Sequence, residues 1–309
     1  MCRKADSSIR SVSFFIYTHT VYAMQTTRVE LSDTLPLTCS RRGTCCFGNQ
    51  VLLNPWELAC LAAEKGISPR QFRDSFCDLG GTRLMFNGDT GWMGKKACGM
   101  YVHNFGCSLH VARPLACRLY PIGRQIQSAQ VHYMYEGRQF PCLSGCPEVT
   151  TLPHITVFNY LQGQQTLSFE QAQDGYLEVV QNLADMAFVL LLETDLAATA
   201  GSQTIALWLE MGGEDPQLLA ERIGEEWLTL LQLPSMGASL NNPMEFVQAH
   251  NTLLQQKAQQ QFGELQSISD VQSACVHTMA LALHLSRSVG ANPATLASHW
   301  TEVARGNGV

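Results

Sequence analysis

The sequence predicts an α+β protein, with a small cysteine-rich mixed region packed on a mostly α-helical C-terminal region. Ten of the 12 cysteines lie between Cys39 and Cys146, leaving only Cys2 and Cys275 outside. Charge divides at the same place. Residues 1–150 carry 16 basic and 10 acidic side chains, a net of +6; residues 151–309 carry 4 and 16, a net of −12, which together give the −6 of the chain. Short strand patterns occur only in the first half, and helical periodicity dominates the second. These observations divide the chain into an N-terminal extension over 1–30, a cysteine-cluster region over 31–150 and a helical region over 151–309. No Pro-, Gly- or Ser-rich linker joins the last two, so one continuous body with two regions is expected.

The extension opens with Arg3, Lys4 and Arg10 ahead of VSFFIYTHTVYAM, which loosely resembles a signal peptide. Thr18, His19 and Thr20 break its apolar run, and no small-residue cleavage site follows. Met24 is therefore read as the start, and a cytoplasmic location is expected. With 46% hydrophobic and 15% charged residues over 309, the remainder reads as globular. No uninterrupted run of about 18 apolar residues predicts a membrane span. The longest apolar cluster, Met186 to Leu192, is far shorter.

In the cysteine-rich region, Asn54-Pro55-Trp56-Glu57 is a helix start, with Asn as N-cap, Pro in the first turn and Glu at the capping-box position. That helix is expected to run to Lys65 and stop at Gly66. Ser68-Pro69 opens a second, with Phe72 and Phe76 one turn apart and Gly80-Gly81 as its end. Arg83 to Phe86, turning at Asn87-Gly88, reads as a hairpin strand, and Val131, Tyr133 and Tyr135 alternate as another. In the acidic region, Ser168 with Gln171 caps a helix whose apolar stripe is Tyr176, Val180, Leu183, Ala187 and Leu191. Asp215-Pro216 begins one carrying Leu219, Ile223, Trp227 and Leu230, ending before Pro234. Asn242-Pro243 and Asn292-Pro293 repeat the start seen at Asn54. The glutamines of Gln255 to Gln261 form a solvated helix face. These stripes are core; no phosphate-binding loop, nucleophile elbow, HExxH or dinucleotide fingerprint is present.

Chemistry therefore rests on the cysteines. Cys60 and Cys77 fall inside the two helices and read as small buried hydrophobes. The other eight of this region, Cys39, Cys45, Cys46, Cys98, Cys107, Cys117, Cys142 and Cys146, sit in loop-like sequence with Gly and Pro beside most of them. That is how thiolate ligands are presented to a metal, and the expectation is that all eight converge. Two tetrahedral zinc sites would use all eight, and a 4Fe–4S cluster would use four. Eight metal-bound thiolates would turn the +6 of this half into −2 before the metal is counted. The basic excess is accordingly read as support for thiolates, and a nucleic-acid surface is disfavoured. Arg41 and Arg42 supply such charge beside Cys39, Cys45 and Cys46. His103 and His110 lie between cluster cysteines; either can ligate, but a satisfied surface or core histidine is the commoner case. Arg113 and Arg118 are expected to donate to thiolates or to a carbonyl nearby, and Lys95 and Lys96 to be exposed. A disulfide framework is the alternative for an even number of cysteines. It would force a strained bridge or divergent partners on adjacent Cys45 and Cys46, in a chain large enough to fold without staples.

The order C-x-x-R-x-x-C-C, then C-x8-C-x5-RP-x-x-CRLYP, then C-x3-C-P resembles the YkgJ family of cysteine-cluster proteins, described as carrying a zinc- or iron-chelating C-x-x-C-x-x-C-C domain. The match spans roughly Cys39 to Val149. Cys39, Cys45 and Cys46 fall on the first, third and fourth signature cysteines, and Arg42 stands where the second would be. Cys98, Cys107 and Cys117 fall on the next three, with Arg113-Pro114 and Tyr120-Pro121 matching the surrounding RP and YP. The resemblance implies a metal-binding protein holding zinc or an iron–sulfur cluster. It extends to redox or group-transfer chemistry, since related proteins are described as Fe–S oxidoreductases and a lysine N-methylase shares a similar cluster. The alternative is a zinc-stabilised binding module without enzymatic activity, contacting a protein or small-molecule partner.

Overall fold

Each expected Asn-Pro, Ser-Pro or Asp-Pro start becomes a helix in the computed structural model, which describes residues 14–16, 27–37, 44–127, 130–135, 153–233 and 240–309. Strands β1 (Phe14–Ile16) and β2 (Thr27–Val29) come from the stretch read as an N-terminal extension; the cysteine-rich region follows with β3 (Thr34–Leu35), then helices α1 (Pro55–Lys65) and α2 (Pro69–Phe76). Short strands β4 (Cys77–Asp78), β5 (Arg83–Leu84), β6 (Phe86–Thr90), β7 (Lys96–Cys98), β8 (Tyr101–Val102) and β9 (Gly106–Cys107) follow. Helix α3 (Leu115–Leu119), the hairpin of β10 (Ile122–Gln127) and β11 (Gln130–Tyr135), strand β12 (Ile155–Thr156) and helix α4 (Val157–Gln164) complete it. Helices α5 (Leu167–Leu192), α6 (Leu196–Gly213), α7 (Pro216–Ile223), α8 (Glu225–Gln232), α9 (Pro243–Phe262), α10 (Ile268–Ser288) and α11 (Pro293–Gly306) make up the rest. The fold is α+β and mostly helical, with the strands confined to small sheets. The largest sheet runs in the order β1-β10-β11-β2; the others are two-stranded. Met24, read as the start, lies outside the described residues; of the residues before it, Phe14–Ile16 are described and form the edge strand β1 of the largest sheet.

Two compact units share the chain, one from Phe15 to Gln171 and one from Ala172 to Val309. The division falls inside α5, not in a loop near residue 150. The first turn of that helix belongs with the cysteine-rich unit, where Phe169 meets Trp56 edge-on at 4.8 Å and Glu170 accepts from the Tyr133 hydroxyl at 3.0 Å. Among the described helices, α5 is long and apolar enough to cross a membrane, with a mean hydropathy of 1.3 over its best window. An uninterrupted apolar run misses it, because acidic residues punctuate the helix. More than half of that window, 56%, is buried inside the protein, as expected of a core helix. Tyr176, Val180, Leu183, Ala187 and Leu191 are all buried, so the stripe read from the sequence is the buried one.

Several local expectations fail for identifiable reasons. Helix α2 ends at Phe76, before Gly80-Gly81. Cys77 and Asp78 leave it to pair with Leu84 and Arg83, and the Arg83–Asp78 ion pair closes that hairpin at 2.8 Å. Asn87-Gly88 is not a turn either. It lies within β6, which pairs with β7 across an irregular register, and the chain reverses around Trp92–Gly94 instead. Ser168 sits in the first turn of α5, whose opening hydrogen bond runs from Glu170 N to Thr166 O. The helix expected from Asp215 breaks into α7 and α8 at Gly224, whose φ of 82° only glycine adopts without strain. Helices α3, α4, α6 and α10, which lack an Asn-Pro type of start, were not anticipated.

The helical unit buries two histidines completely, His250 and His284. His250 Nε2 bonds the Leu230 carbonyl at 3.0 Å, so this nitrogen carries the proton, and Nδ1 accepts from the Tyr176 hydroxyl at 2.9 Å. Burial pushes the imidazole down to about 4, although the Leu230 bond works the other way. The folded state thus resists protonation. Its advantage is complete above the ordinary pKa of 6.5 and is lost as pH falls through that value towards about 4, amounting to about 3 kcal/mol. Thermal unfolding followed from pH 7 to 4 should show His250→Gln losing less stability with acid than the parent. Parallel curves would reject this account.

Candidate metal centre

The loop bearing Cys45 and Cys46 is a single 3-10 turn, Thr44–Cys46, tied to β7 by backbone pairing. Phe47 bridges Ala97, and Gly48 N donates to Lys96 O at 2.9 Å. Gly48 has a φ of 76°, which turns the chain away immediately after the two thiols. Asn49 Nδ2 holds the turn from behind by donating to Cys45 O at 2.9 Å. The strand so paired ends in Cys98. Beyond it, β8 pairs with β9, setting Tyr101 opposite Cys107. Ser108 then donates twice to Met100 O, from its N at 2.8 Å and its Oγ at 3.0 Å. The turns following Cys98 and Cys107 therefore lie side by side. Cys117 comes from the middle of α3, so it sits in a helix, and Cys98 and Cys107 at strand ends, rather than in the loops expected from their neighbouring glycines and prolines.

These five cysteines line one cavity of about 130 Å³, several times the roughly 30 Å³ that a water occupies in the liquid. The rest of the wall is mainly apolar, including Val51, Leu61, Leu84, Met100 and Phe105, with His110, Arg113 and Tyr120 among the polar groups. No aspartate or glutamate lines it among the described residues.

The electrostatics follow from crowding thiols into a desolvated space. Cys45 is raised well above the ordinary thiol range, first by its hydrogen bond with Cys46 and then by burial. Burial pushes Cys98 up to about 11 and raises Cys107. Cys117 is raised well above the usual range by burial and then by Cys98, Cys107 and Cys45. Three features oppose this. The Met100 N–H points at the Cys98 sulfur, the Leu109 N–H at the Cys107 sulfur, and the Arg113 guanidinium favours ionisation of Cys45, Cys107 and Cys117. Both backbone donors stand two residues after their cysteine, so the local turn itself supplies a hydrogen bond to each thiolate form. Without a cation these sulfurs are neutral at pH 7; with one they are placed to ionise.

Of the eight cysteines expected to converge, Cys45, Cys46, Cys98, Cys107 and Cys117 share this cavity, and Cys39, Cys142 and Cys146 lie outside the described residues, as do Arg41 and Arg42. Among the described residues, no three His, Cys, Asp or Glu side chains stand close enough together to hold a metal ion. The soft donor set fits a thiophilic metal in kind, but the sulfurs are not drawn to ligating distance. Cys60 and Cys77 do not line the cavity. Cys77 is buried in β4, not in a helix. His110 faces the cavity, whereas His103 is exposed and does not line it. Lys95 and Lys96 are exposed. The eight described cysteines are free thiols.

Both arginines bond carbonyls. Arg113 Nε donates to His110 O at 3.0 Å and its Nη2 to Gln164 Oε1 at 2.9 Å. Arg118, 6% exposed, donates to Arg113 O at 2.7 Å, to Gln164 O at 2.8 Å and to Val111 O, and lies 4.0 Å from the Phe169 ring centre. Sequence reading missed Glu57, treated only as the far half of a capping box. It is 2% exposed, and burial lifts its carboxyl to about 7 against the Leu115 and Asn54 N–H groups and Arg118. Its contribution to stability is fully present below the ordinary 4.5 and is lost as pH rises through about 7, opposite in sense to His250.

Compared with protein-family models, with curated proteins and with solved structures, the chain matches none.

Proposed function

We propose that the chain binds a thiophilic metal, zinc or the iron of a 4Fe–4S cluster, through thiolates that include Cys45, Cys46, Cys98, Cys107 and Cys117. One observation carries this reading. Thiols from four separate elements, the 3-10 turn, β7, β9 and α3, line one cavity, while Cys60 and Cys77, set aside on sequence grounds, do not. Cys39, Cys142 and Cys146 belong to the same proposal from outside the described residues. Arg113 offsets part of the negative charge that ionised sulfurs would bring, and the Met100 and Leu109 N–H groups add hydrogen bonds to it. When bound, zinc would supply a structural tie or a Lewis acid, and an iron–sulfur cluster would supply one-electron chemistry. Because Cys45, Cys98, Cys107 and Cys117 are held above the usual thiol range without metal, binding through them must release protons, and affinity should rise with pH. Free thiols of this kind suit a reducing compartment, and we place the protein in the cytoplasm.

A stabilising role without catalysis is the second reading. No carboxylate faces the thiols among the described residues, so the wall offers no general base of that type. Purification of the full chain without oxygen or chelator, followed by metal analysis and a visible spectrum, tests both. Stoichiometric iron with broad visible absorption that bleaches on reduction favours the cluster; stoichiometric zinc without colour favours the stabilising role. Neither metal at significant occupancy would overturn the proposal.

A further inference from the structure

Resting on the metal-binding reading, we infer that Glu57 is a positioning residue for Cys117. Its buried carboxylate ties the start of the helix that carries this thiol to the start of α1.

The chain uses the same capping motif twice, and the comparison isolates what is unusual. At α2, Ser68 and Gln71 form an exposed capping box with an amide. At α1, Asn54 Oδ1 accepts from Glu57 N at 2.9 Å, and Glu57 Oε2 accepts from Asn54 N at 3.1 Å. Those bonds complete the cap, and they do not require a carboxylate. The other oxygen, Oε1, reaches across the fold to accept from Leu115 N at 2.7 Å, a residue 58 positions later. Leu115 is the first residue of α3, whose N-cap Pro114 makes no side-chain capping bond. Glu57 supplies that cap from a distance.

Helix α3 needs such an anchor. It is five residues long, and its own backbone bonds, Cys117 N and Arg118 N to Pro114 O at 3.0 Å each, fix its shape but not its direction. Direction comes from long-range bonds: Glu57 to Leu115 N, Arg118 to Gln164 O, and the Tyr160 hydroxyl to Arg118 O at 3.2 Å. Cys117 lies between the first of these anchors and the other two, and its side chain lines the cavity. A buried carboxylate is costly unless hydrogen-bonded, and this one is bonded at both oxygens to groups that set where two helices begin.

The test uses the metal-free full chain titrated with Co2+, whose sulfur-to-cobalt charge-transfer band reports bound thiolates. Glu57→Ala should lower Co2+ affinity by about 10- to 100-fold, the usual cost of removing a group that orients a ligand, and weaken the band as Cys117→Ser does. Glu57→Gln keeps an oxygen for the Leu115 N–H and should restore most of the band. The deciding comparison is made on the Cys117→Ser background. There Glu57→Ala should change affinity by less than about twofold, since the thiol it positions is gone. An equal loss on both backgrounds, or none on the parent, overturns the inference while leaving metal binding intact. A parent without a thiolate–cobalt band overturns the metal-binding reading itself. Circular dichroism checks that each variant folds; should Glu57→Ala unfold, Glu57→Asp, one methylene short of Leu115, replaces it with the same expectations.

Discussion

Cys45→Ser combined with Cys46→Ser is expected to remove at least half of the metal bound per chain, whereas Cys60→Ser leaves the metal content unchanged. The adjacent pair occupies one 3-10 turn whose sulfurs share a hydrogen bond and open on the cavity with Cys98, Cys107 and Cys117. Serine keeps the size of each side chain but replaces a soft donor by a hard hydroxyl that does not ionise near neutral pH. A metal that binds only the folded chain stabilises it by about 4 kcal/mol at a thousand times Kd, so losing the metal should also lower Tm by several degrees. Cys60 lies on α1 with its thiol pushed up to about 12 by burial, away from the cavity wall. Its replacement should cost a modest amount of stability and no metal. Mass-spectrometric metal stoichiometry on the three proteins decides. Full metal in the double variant would reject this ligand assignment.

Arg118→Met should destabilise the cysteine-rich unit by about 3 kcal/mol or more, even though methionine fills similar space. The guanidinium satisfies the carbonyls of Val111, Arg113 and Gln164, and stacks on Phe169. Removing it leaves part-buried acceptors without their donor, at about 1 kcal/mol each, and forfeits about 1 kcal/mol of cation–π attraction. It also removes the positive charge that helps hold the buried Glu57 ionised. Burial itself lowers the arginine to about 10, so the charge is retained at neutral pH. Arg118→Lys should not rescue it, because one ammonium cannot reproduce the planar fork that spans separate carbonyls. Chemical denaturation of parent and both variants measures the effect. A change under about 1 kcal/mol in Arg118→Met would show that these bonds are replaced by water.

Much of the helical architecture was legible because its signals are local. Asn54, Ser68, Asp215, Asn242 and Asn292 each cap the helix that follows, by a bond spanning two or three residues. Where a start depended on something further away, reading failed. Cys77 leaves its helix because Leu84 offers a pairing partner, and Asn87-Gly88 becomes an irregularity within β6 because the residues on either side, Phe86 and Thr90, pair with β7. Neither partner can be weighed from a short window of sequence.

The thiols divide the same way. Neighbouring glycines and prolines set Cys45, Cys46, Cys98, Cys107 and Cys117 apart from Cys60 in the sequence, although the loop expected around Cys117 is a helix and those around Cys98 and Cys107 are strand ends. That the five face one cavity was decided by tertiary pairing: Phe47 against Ala97, Ser108 on Met100, and Glu57 on Leu115. The two N–H groups aimed at sulfur depend on how those paired strands end, and the buried state of Glu57 depends on α3 closing over it. Hydrogen bonds between residues far apart in the chain form only when the intervening segments fold. The sequence therefore determined which atoms are soft donors and where helices begin, while the tertiary structure alone decided which donors face each other and what holds them there.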